Sequence, residues 1–105
     1  MAGLYMLLTS WPDIEGAREQ ADIWLEKKMA ANVNILPKMD SIYRWKGEIR
    51  HGREHQVLIK TSADRVEALE QEIRRAHPYP MAEILRIAID SDDADYLDWI
   101  KQSTR

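Results

Sequence analysis

The segment that decides the fold runs from Asn34 to Thr61 and reads NILPKMDSIYRWKGEIRHGREHQVLIKT. It is rich in β-branched and aromatic residues, which favour strands. Charged residues such as Lys46, Glu48 and Lys60 lie among them. A strand that is buried in the core on both faces would not have charged residues at these positions. A long strand pair of this mixed kind usually has a second surface to cover. That surface belongs either to a partner chain or to a pocket.

The segment predicts a long β-hairpin. Its first strand starts at Asn32, is interrupted near Pro37, which lacks a hydrogen-bond donor for the sheet, and resumes over residues 41–49. We predict the turn at residues 50–53, where Gly52 can adopt a positive φ, and the second strand at residues 54–61. Each arm is then about nine residues long, against a common strand length of about five to six.

The residues before the hairpin predict one strand and one helix. The apolar run at residues 4–8 predicts a buried strand that ends at Thr9. Asp13 suits the N-cap of an amphipathic helix, and we place Lys27 and Lys28 in its last turn, where they complement the helix dipole. The apolar stripe of this helix is Ile14, Ala17, Ala21, Trp24, Leu25 and Lys28.

The residues after the hairpin predict a helix, a strand and a final helix. Residues 62–64 are expected to cap the second helix, and the prolines in residues 77–80 end it. Its apolar stripe is Val66, Leu69, Ile73 and Ala76. Residues 83–89 alternate as a fourth strand. The acidic residues Asp92, Asp93 and Asp95 suit the start of a short C-terminal helix.

The order β-α-β-β-α-β plus a terminal helix is that of the ferredoxin-like, split βαβ fold of the α+β class. We therefore expect one domain over residues 1–105, with both main helices on one face of a four-stranded antiparallel sheet. The other face is then uncovered in a monomer. Because the strands at residues 4–8 and 85–89 are apolar on both sides, we expect another subunit to cover it.

Composition narrows the classes of function. The chain has 15 Lys and Arg against 18 Asp and Glu, a net charge of -3, so nucleic acid is not an expected partner. It has no cysteine, which excludes a thiolate metal site and a Cys nucleophile. The apolar N-terminal segment lacks a basic start and stops too early to span a bilayer. We expect no membrane association and a cytoplasmic protein.

A series of short motifs resembles one family along almost the whole chain. They are Ala30-Ala31, Val33 to Pro37, Ser41 to Ile49, Glu54, Ile59-Lys60-Thr61, His77-Pro78-Tyr79, Glu83-Ile84 and Tyr96 to Ile100. Their order is that of the CutA family of divalent-cation tolerance proteins. The resemblance implies a tight homotrimer in which the long second and third strands reach neighbouring subunits. It also implies a role in tolerance of copper and other divalent cations, with no established enzymatic reaction.

Two departures from the family pattern bear on function. Members commonly carry a Cys between the paired alanines and the Val-Asn-Ile, a proposed soft-metal ligand, where this chain has Asn32. After His77-Pro78-Tyr79 the family tends to Glu, any residue, then Pro-Glu-Ile, whereas this chain reads Pro80-Met81-Ala82-Glu83-Ile84.

Without cysteine, the candidate metal ligands are His51, His55 and His77. Imidazole suits Cu²⁺, so Cu²⁺ or another divalent cation is the expected metal. The alternative for His51 and His55 is a pair of solvated turn residues, because residues four apart in a strand lie about 13 Å from each other. The alternative for His77 is a hydrogen bond at the end of the helix.

A second candidate site is an intersubunit cleft or interface. Lys60 stands near the end of an otherwise apolar strand, so it must be paired or functional. The candidate residues are Tyr43, Trp45, Glu54, Lys60, Tyr79 and Glu83.

The leading hypothesis is a non-enzymatic homotrimer for divalent-cation tolerance. The alternatives are a trimeric sensor of a small molecule or anion, and an assembly platform for a partner protein.

Overall fold

The computed structural model describes residues 3–105 and contains five strands and three helices within them. All strand pairs are antiparallel. In chain order the elements are β1 (Leu4–Trp11), α1 (Ile14–Glu26), β2 (Asn32–Ile35), β3 (Met39–Trp45), β4 (Glu48–Ser62), α2 (Val66–Ala76), β5 (Leu85–Ala88) and α3 (Ala94–Ser103). The predicted α+β class with an antiparallel sheet is therefore confirmed.

The 15-residue strand β4 organises the sheet. The strand order is β2-β4-β1-β5, and β3 pairs with the part of β4 that precedes the β2 pairing. Asn32 lies opposite Lys60 on one side of β4, and Met6 lies opposite Lys60 on the other. The interruption that Pro37 predicts separates β2 from β3, and both strands use β4 as their partner.

The main core lies between one face of the sheet and helices α1 and α2. Asp13 caps α1 as predicted, because its carboxylate accepts a hydrogen bond from the Gly16 amide at 2.7 Å. The predicted stripes are buried at Ala17, Ala21 and Trp24 in α1 and at Val66, Leu69 and Ile73 in α2. Leu25 is instead 39% exposed.

The opposite face of the sheet is covered only at one end. Strand alternation places Leu4 on the face opposite Leu7, and there Leu4, Ala31 and Ile100 form a second apolar cluster with α3. Asp93 caps α3 by accepting from the Tyr96 amide, as the acidic start predicts. On β5, Leu85 is 51% and Ile87 42% exposed, so most of this face is open in the protomer.

The hairpin turn lies at Lys46 and Gly47, so the predicted turn at residues 50–53 is wrong. Lys46 has φ 51° and Gly47 φ 79°, and two consecutive positive φ values suit the tight two-residue turns that follow the twist of a hairpin. Residues 50–53 are paired strand residues of β4, with Ser41 opposite Gly52. The hairpin therefore projects farther than predicted, and its end, residues 42–51, is here called the arm.

Four element boundaries also differ from the predictions. Strand β5 spans only Leu85–Ala88, and not the predicted residues 83–89. Strand β1 continues past Thr9 to Trp11, because Trp11 packs into the main core instead of forming the turn. Helix α2 begins only at Val66, after a turn at residues 63–65, and has no side-chain cap. Helix α1 ends at Glu26, so Lys27 lies beyond its last turn and forms an ion pair with Glu72 of α2.

No helix within residues 3–105 is long and apolar enough to cross a membrane.

Candidate functional site

A cleft of about 740 Å³ lies between the arm and the loop at residues 79–83. Strand alternation puts Ser41, Tyr43 and Trp45 on one face of β3, and all three line the cleft. The 79–83 loop supplies the facing wall. The remaining lining residues are Ser10, Met39, Ile42, Arg44, Arg50, Gly52, Arg53, Glu54, Gln56, Tyr79, Pro80, Met81, Ala82 and Glu83.

Glu54 lies in this cleft where the two walls meet. Its carboxylate accepts a hydrogen bond from the Ser41 hydroxyl at 2.6 Å and one from the Tyr79 hydroxyl at 3.2 Å. These bonds connect β3, β4 and the 79–83 loop through one side chain. Glu54 therefore fixes the shape of the cleft and also presents a negative charge to it.

The Tyr79 hydroxyl stays protonated over the whole neutral range. Burial of the phenol, followed by the negative charge of Glu54 and the hydrogen bond to it, raises the pKa of Tyr79 to about 12. All of these causes disfavour the phenolate. Tyr79 consequently acts in the cleft as a hydrogen-bond donor and not as a base at neutral pH.

His77 holds the start of the 79–83 loop against the end of β1. Its Nε2 lies 2.6 Å from the Ser10 carbonyl oxygen, and its Nδ1 lies 3.1 Å from the Tyr79 amide nitrogen. A carbonyl only accepts and an amide N–H only donates, so the ring is neutral and carries its proton on Nε2. The ring also packs against Trp11, with centroids 4.5 Å apart. Both nitrogens of His77 are thus engaged.

The structure does not bring the three candidate histidines together. His51 is exposed on the arm opposite Ile42. His55 is buried and its Nδ1 donates to the Leu36 carbonyl at 2.9 Å. Across residues 3–105 of one protomer, no group of three or more His, Asp or Glu side chains is placed to hold a metal ion. Metal binding by His51, His55 and His77 stays a prediction.

Five of the six residues predicted for a cleft or interface line this one cleft: Tyr43, Trp45, Glu54, Tyr79 and Glu83. Lys60 lies apart from it. Its ammonium group donates to the side-chain oxygens of Asn32 at 3.1 Å and Asn34 at 2.9 Å. Asn32 and Asn34 thus orient Lys60.

Sequence reasoning missed Ser41, which holds Glu54. The signal was present, because Ser41 lies two residues before Tyr43 and four before Trp45 and so shares their face of the strand. Two arginines of the lining, Arg50 and Arg53, were missed because the turn was placed at residues 50–53. Arg44 was missed although it lies on the predicted strand at residues 41–49.

The link between Tyr79 and Glu54 can be tested by alkaline titration. We expect Glu54→Gln to lower the pKa of Tyr79 from about 12 towards its ordinary value, because the negative charge is lost. Part of the shift should remain, since burial is its largest cause. Ultraviolet difference spectra would follow the phenolate, and Tyr79→Phe identifies its signal among the 4 tyrosines. An unchanged titration in Glu54→Gln would contradict the hydrogen bond.

Comparison with known proteins places the chain in a family. Residues 5–103 match the model of the CutA1 divalent ion tolerance protein. The chain belongs to the CutA1 family. It is 36% identical over 99 residues to the divalent-cation tolerance protein CutA of Thermus thermophilus, covering 94% of this chain and 96% of that protein.

Two further CutA proteins illustrate how widely the likeness extends. The chain is 39% identical over 93 residues to human protein CutA, covering 89% of this chain but only 52% of the human protein. The chain thus spans about half the length of that relative. The crystal structure of CutA1 from Ehrlichia chaffeensis superposes with a TM-score of 0.93 at 30% identity, covering 100% of this chain and 98% of that one.

Proposed function

We propose that this CutA1 protein is a non-enzymatic homotrimer that acts in divalent-cation tolerance. The observation that carries the proposal is the family match over residues 5–103. The Thermus relative, which the chain matches over nearly its full length, is named for the same tolerance. The ferredoxin-like arrangement is proposed as the subunit of the trimer.

The exposed arm supports assembly with other copies. In the protomer, Ile42 is 65% exposed, Ile49 64%, Tyr43 49% and Trp45 38%. Ile42 and Tyr43 are neighbours in a strand and so point to opposite faces, so each face of the arm exposes large apolar side chains among charged ones. Exposed large apolar side chains that cluster in this way favour an interaction site. The number three comes from the family resemblance.

Direct binding of Cu²⁺ is part of the proposal, and His51 is its most accessible ligand. His77 uses both ring nitrogens and His55 uses one, whereas His51 is exposed on the arm. Copies of the arm meeting in a trimer would supply further ligands to it. A ligating imidazole must be neutral, so affinity should fall as the pH drops through the usual histidine range near about 6.5.

Calorimetric titration with Cu²⁺ at neutral pH tests this ligand assignment. We expect wild type to bind and His51→Ala to lose most of the affinity, while His77→Ala loses little beyond its effect on folding. Full-strength binding by a variant that lacks all three histidines would show that the ligands are carboxylates or backbone groups.

A growth experiment tests the tolerance role itself. The cells' own copy of the gene is replaced with each of these variants, and growth is measured at a raised Cu²⁺ concentration.

A second candidate function is the sensing of a small molecule in the cleft. Its volume of about 740 Å³ lies within the range of about 300–1,000 Å³ that ligand pockets occupy. It combines aromatic walls with a hydrogen-bonded carboxylate, the usual composition of such pockets. A ligand of the folded protein would raise the melting temperature, so a thermal-shift screen separates this function from metal binding.

A further inference from the structure

We propose that Glu54 is the anchor for the ammonium group of a small organic cation whose apolar or aromatic body lies along the cleft. This inference rests on the second proposed function, ligand sensing in the cleft, and specifies the chemical class of the ligand. It follows from the charge balance around Glu54, from the walls of the cleft and from the position of the nearby cations.

The charge of Glu54 is not balanced within the described part of the protomer. Its two recorded hydrogen-bond donors, Ser41 and Tyr79, are neutral hydroxyls. No ion pair to Glu54 forms within residues 3–105, although five other ion pairs do. A partly buried carboxylate without a cationic partner is costly. An ammonium group supplies both the missing charge and N–H donors.

Two of the three arginines that line the cleft are engaged elsewhere, and the third, Arg44, lies on the opposite face of β3 from Ser41 and Tyr43. Arg53 pairs with Asp40 at 3.2 Å, and Arg50 pairs with Glu48 at 3.4 Å. Both carboxylate partners are exposed residues outside the cleft lining. Three arginines thus lie along the cleft, yet the carboxylate of Glu54 has only neutral hydrogen-bond donors. This arrangement reserves Glu54 for a cation that the protomer itself does not provide.

The walls beside Glu54 suit an organic cation rather than a bare ion. The Tyr43 ring lies beside Gly52, 3.8 Å from where a Cβ would stand. Tyr43, Trp45 and Tyr79 all line the cleft. Aromatic faces attract organic ammonium groups by cation–π interaction. Glu54, whose two oxygens already accept hydrogen bonds, and Glu83 are, by contrast, a poor ligand set for a hard metal ion, which takes about six or more oxygen ligands.

The test compares three probes of one shape on the full chain by calorimetry: 2-phenylethylammonium, the neutral 2-phenylethanol and the anionic 3-phenylpropionate. We expect the ammonium compound to bind about tenfold or more tightly than the alcohol, the usual worth of a charge-assisted hydrogen bond. Glu54→Gln should remove that advantage. Glu19→Gln, which changes the charge equally on the exposed side of α1, should leave it intact.

The outcomes separate this inference from the function on which it rests. Equal binding of ammonium and alcohol by wild type overturns the role of Glu54 but not ligand sensing, and this comparison needs no variant to fold. If 3-phenylpropionate binds more tightly than 2-phenylethylammonium, the ligand is not a cation, and the result favours an anion sensor. If a cationic side chain of a neighbouring copy occupies Glu54, no probe binds in the cleft, and both the inference and the sensing function fail.

Discussion

Trp45→Ala is expected to weaken the assembly and to lower the melting temperature in a way that depends on protein concentration. Trp45 is 38% exposed in the protomer, near the tip of an arm that exposes large apolar side chains on both faces. If a neighbouring copy buries it, removing the ring should cost on the order of 3 kcal/mol or more per site. Because assembly is linked to folding by mass action, the loss should grow on dilution.

The matched control for this experiment is Leu25→Ala. Leu25 is 39% exposed, almost as much as Trp45, but it lies on α1, away from the arm. We expect this variant to change stability little and without any dependence on concentration. An unchanged melting temperature in Trp45→Ala would place the indole on open surface and contradict the proposed role of the arm.

Trp24→Ala is expected to cost about 3–5 kcal/mol of unfolding free energy, the usual range for emptying a large aromatic site in a core. Trp24 is fully buried between α1 and the sheet and packs edge-on against Trp11, with ring centroids 6.0 Å apart. A loss of this size is a large fraction of the total stability of a small domain. Urea denaturation followed by circular dichroism would measure it.

Trp24→Phe provides the comparison for the core. The Trp24 indole N–H is buried without a hydrogen-bond partner within residues 3–105, so the indole bears a desolvation cost that phenylalanine lacks. We therefore expect Trp24→Phe to lose much less stability than Trp24→Ala. Equal losses in the two variants would show that shape, and not the removal of the N–H group, decides the energetics at this position.

The elements that bury a face were predictable from the sequence, because burial imposes a period on the residues. The stripes of α1 and α2 and the Asp13 cap follow from helical spacing and are found where expected, except that Leu25 is exposed and Lys28 lies beyond the end of α1. The arm was not predictable in the same way. Its residues are exposed on both faces, so no burial pattern sets its register, and the polar segment at residues 50–53 resembles a turn as much as it resembles a strand.

The sequence identified the aromatic and charged residues of the candidate site. It did not identify the hydrogen bonds that these residues form. Tyr43, Trp45, Glu54, Tyr79 and Glu83 were expected at an intersubunit cleft or interface. They line one cleft within the protomer, and their position between subunits stays a prediction. The hydrogen bond from the Ser41 hydroxyl to Glu54 depends on the register of β3 against β4. The sequence analysis placed the turn wrongly and therefore could not give this register. The two asparagines that hold Lys60 meet it only because β2 lies beside the far end of β4.

Light scattering coupled to size exclusion tests the central claim most directly. The claim is that copies of this chain cover the exposed arm and the open face of the sheet in a homotrimer. At micromolar concentration the account predicts a mass close to three times the 12.3 kDa of one chain. A mass near 12.3 kDa would contradict it, because the apolar arm would then be open to solvent.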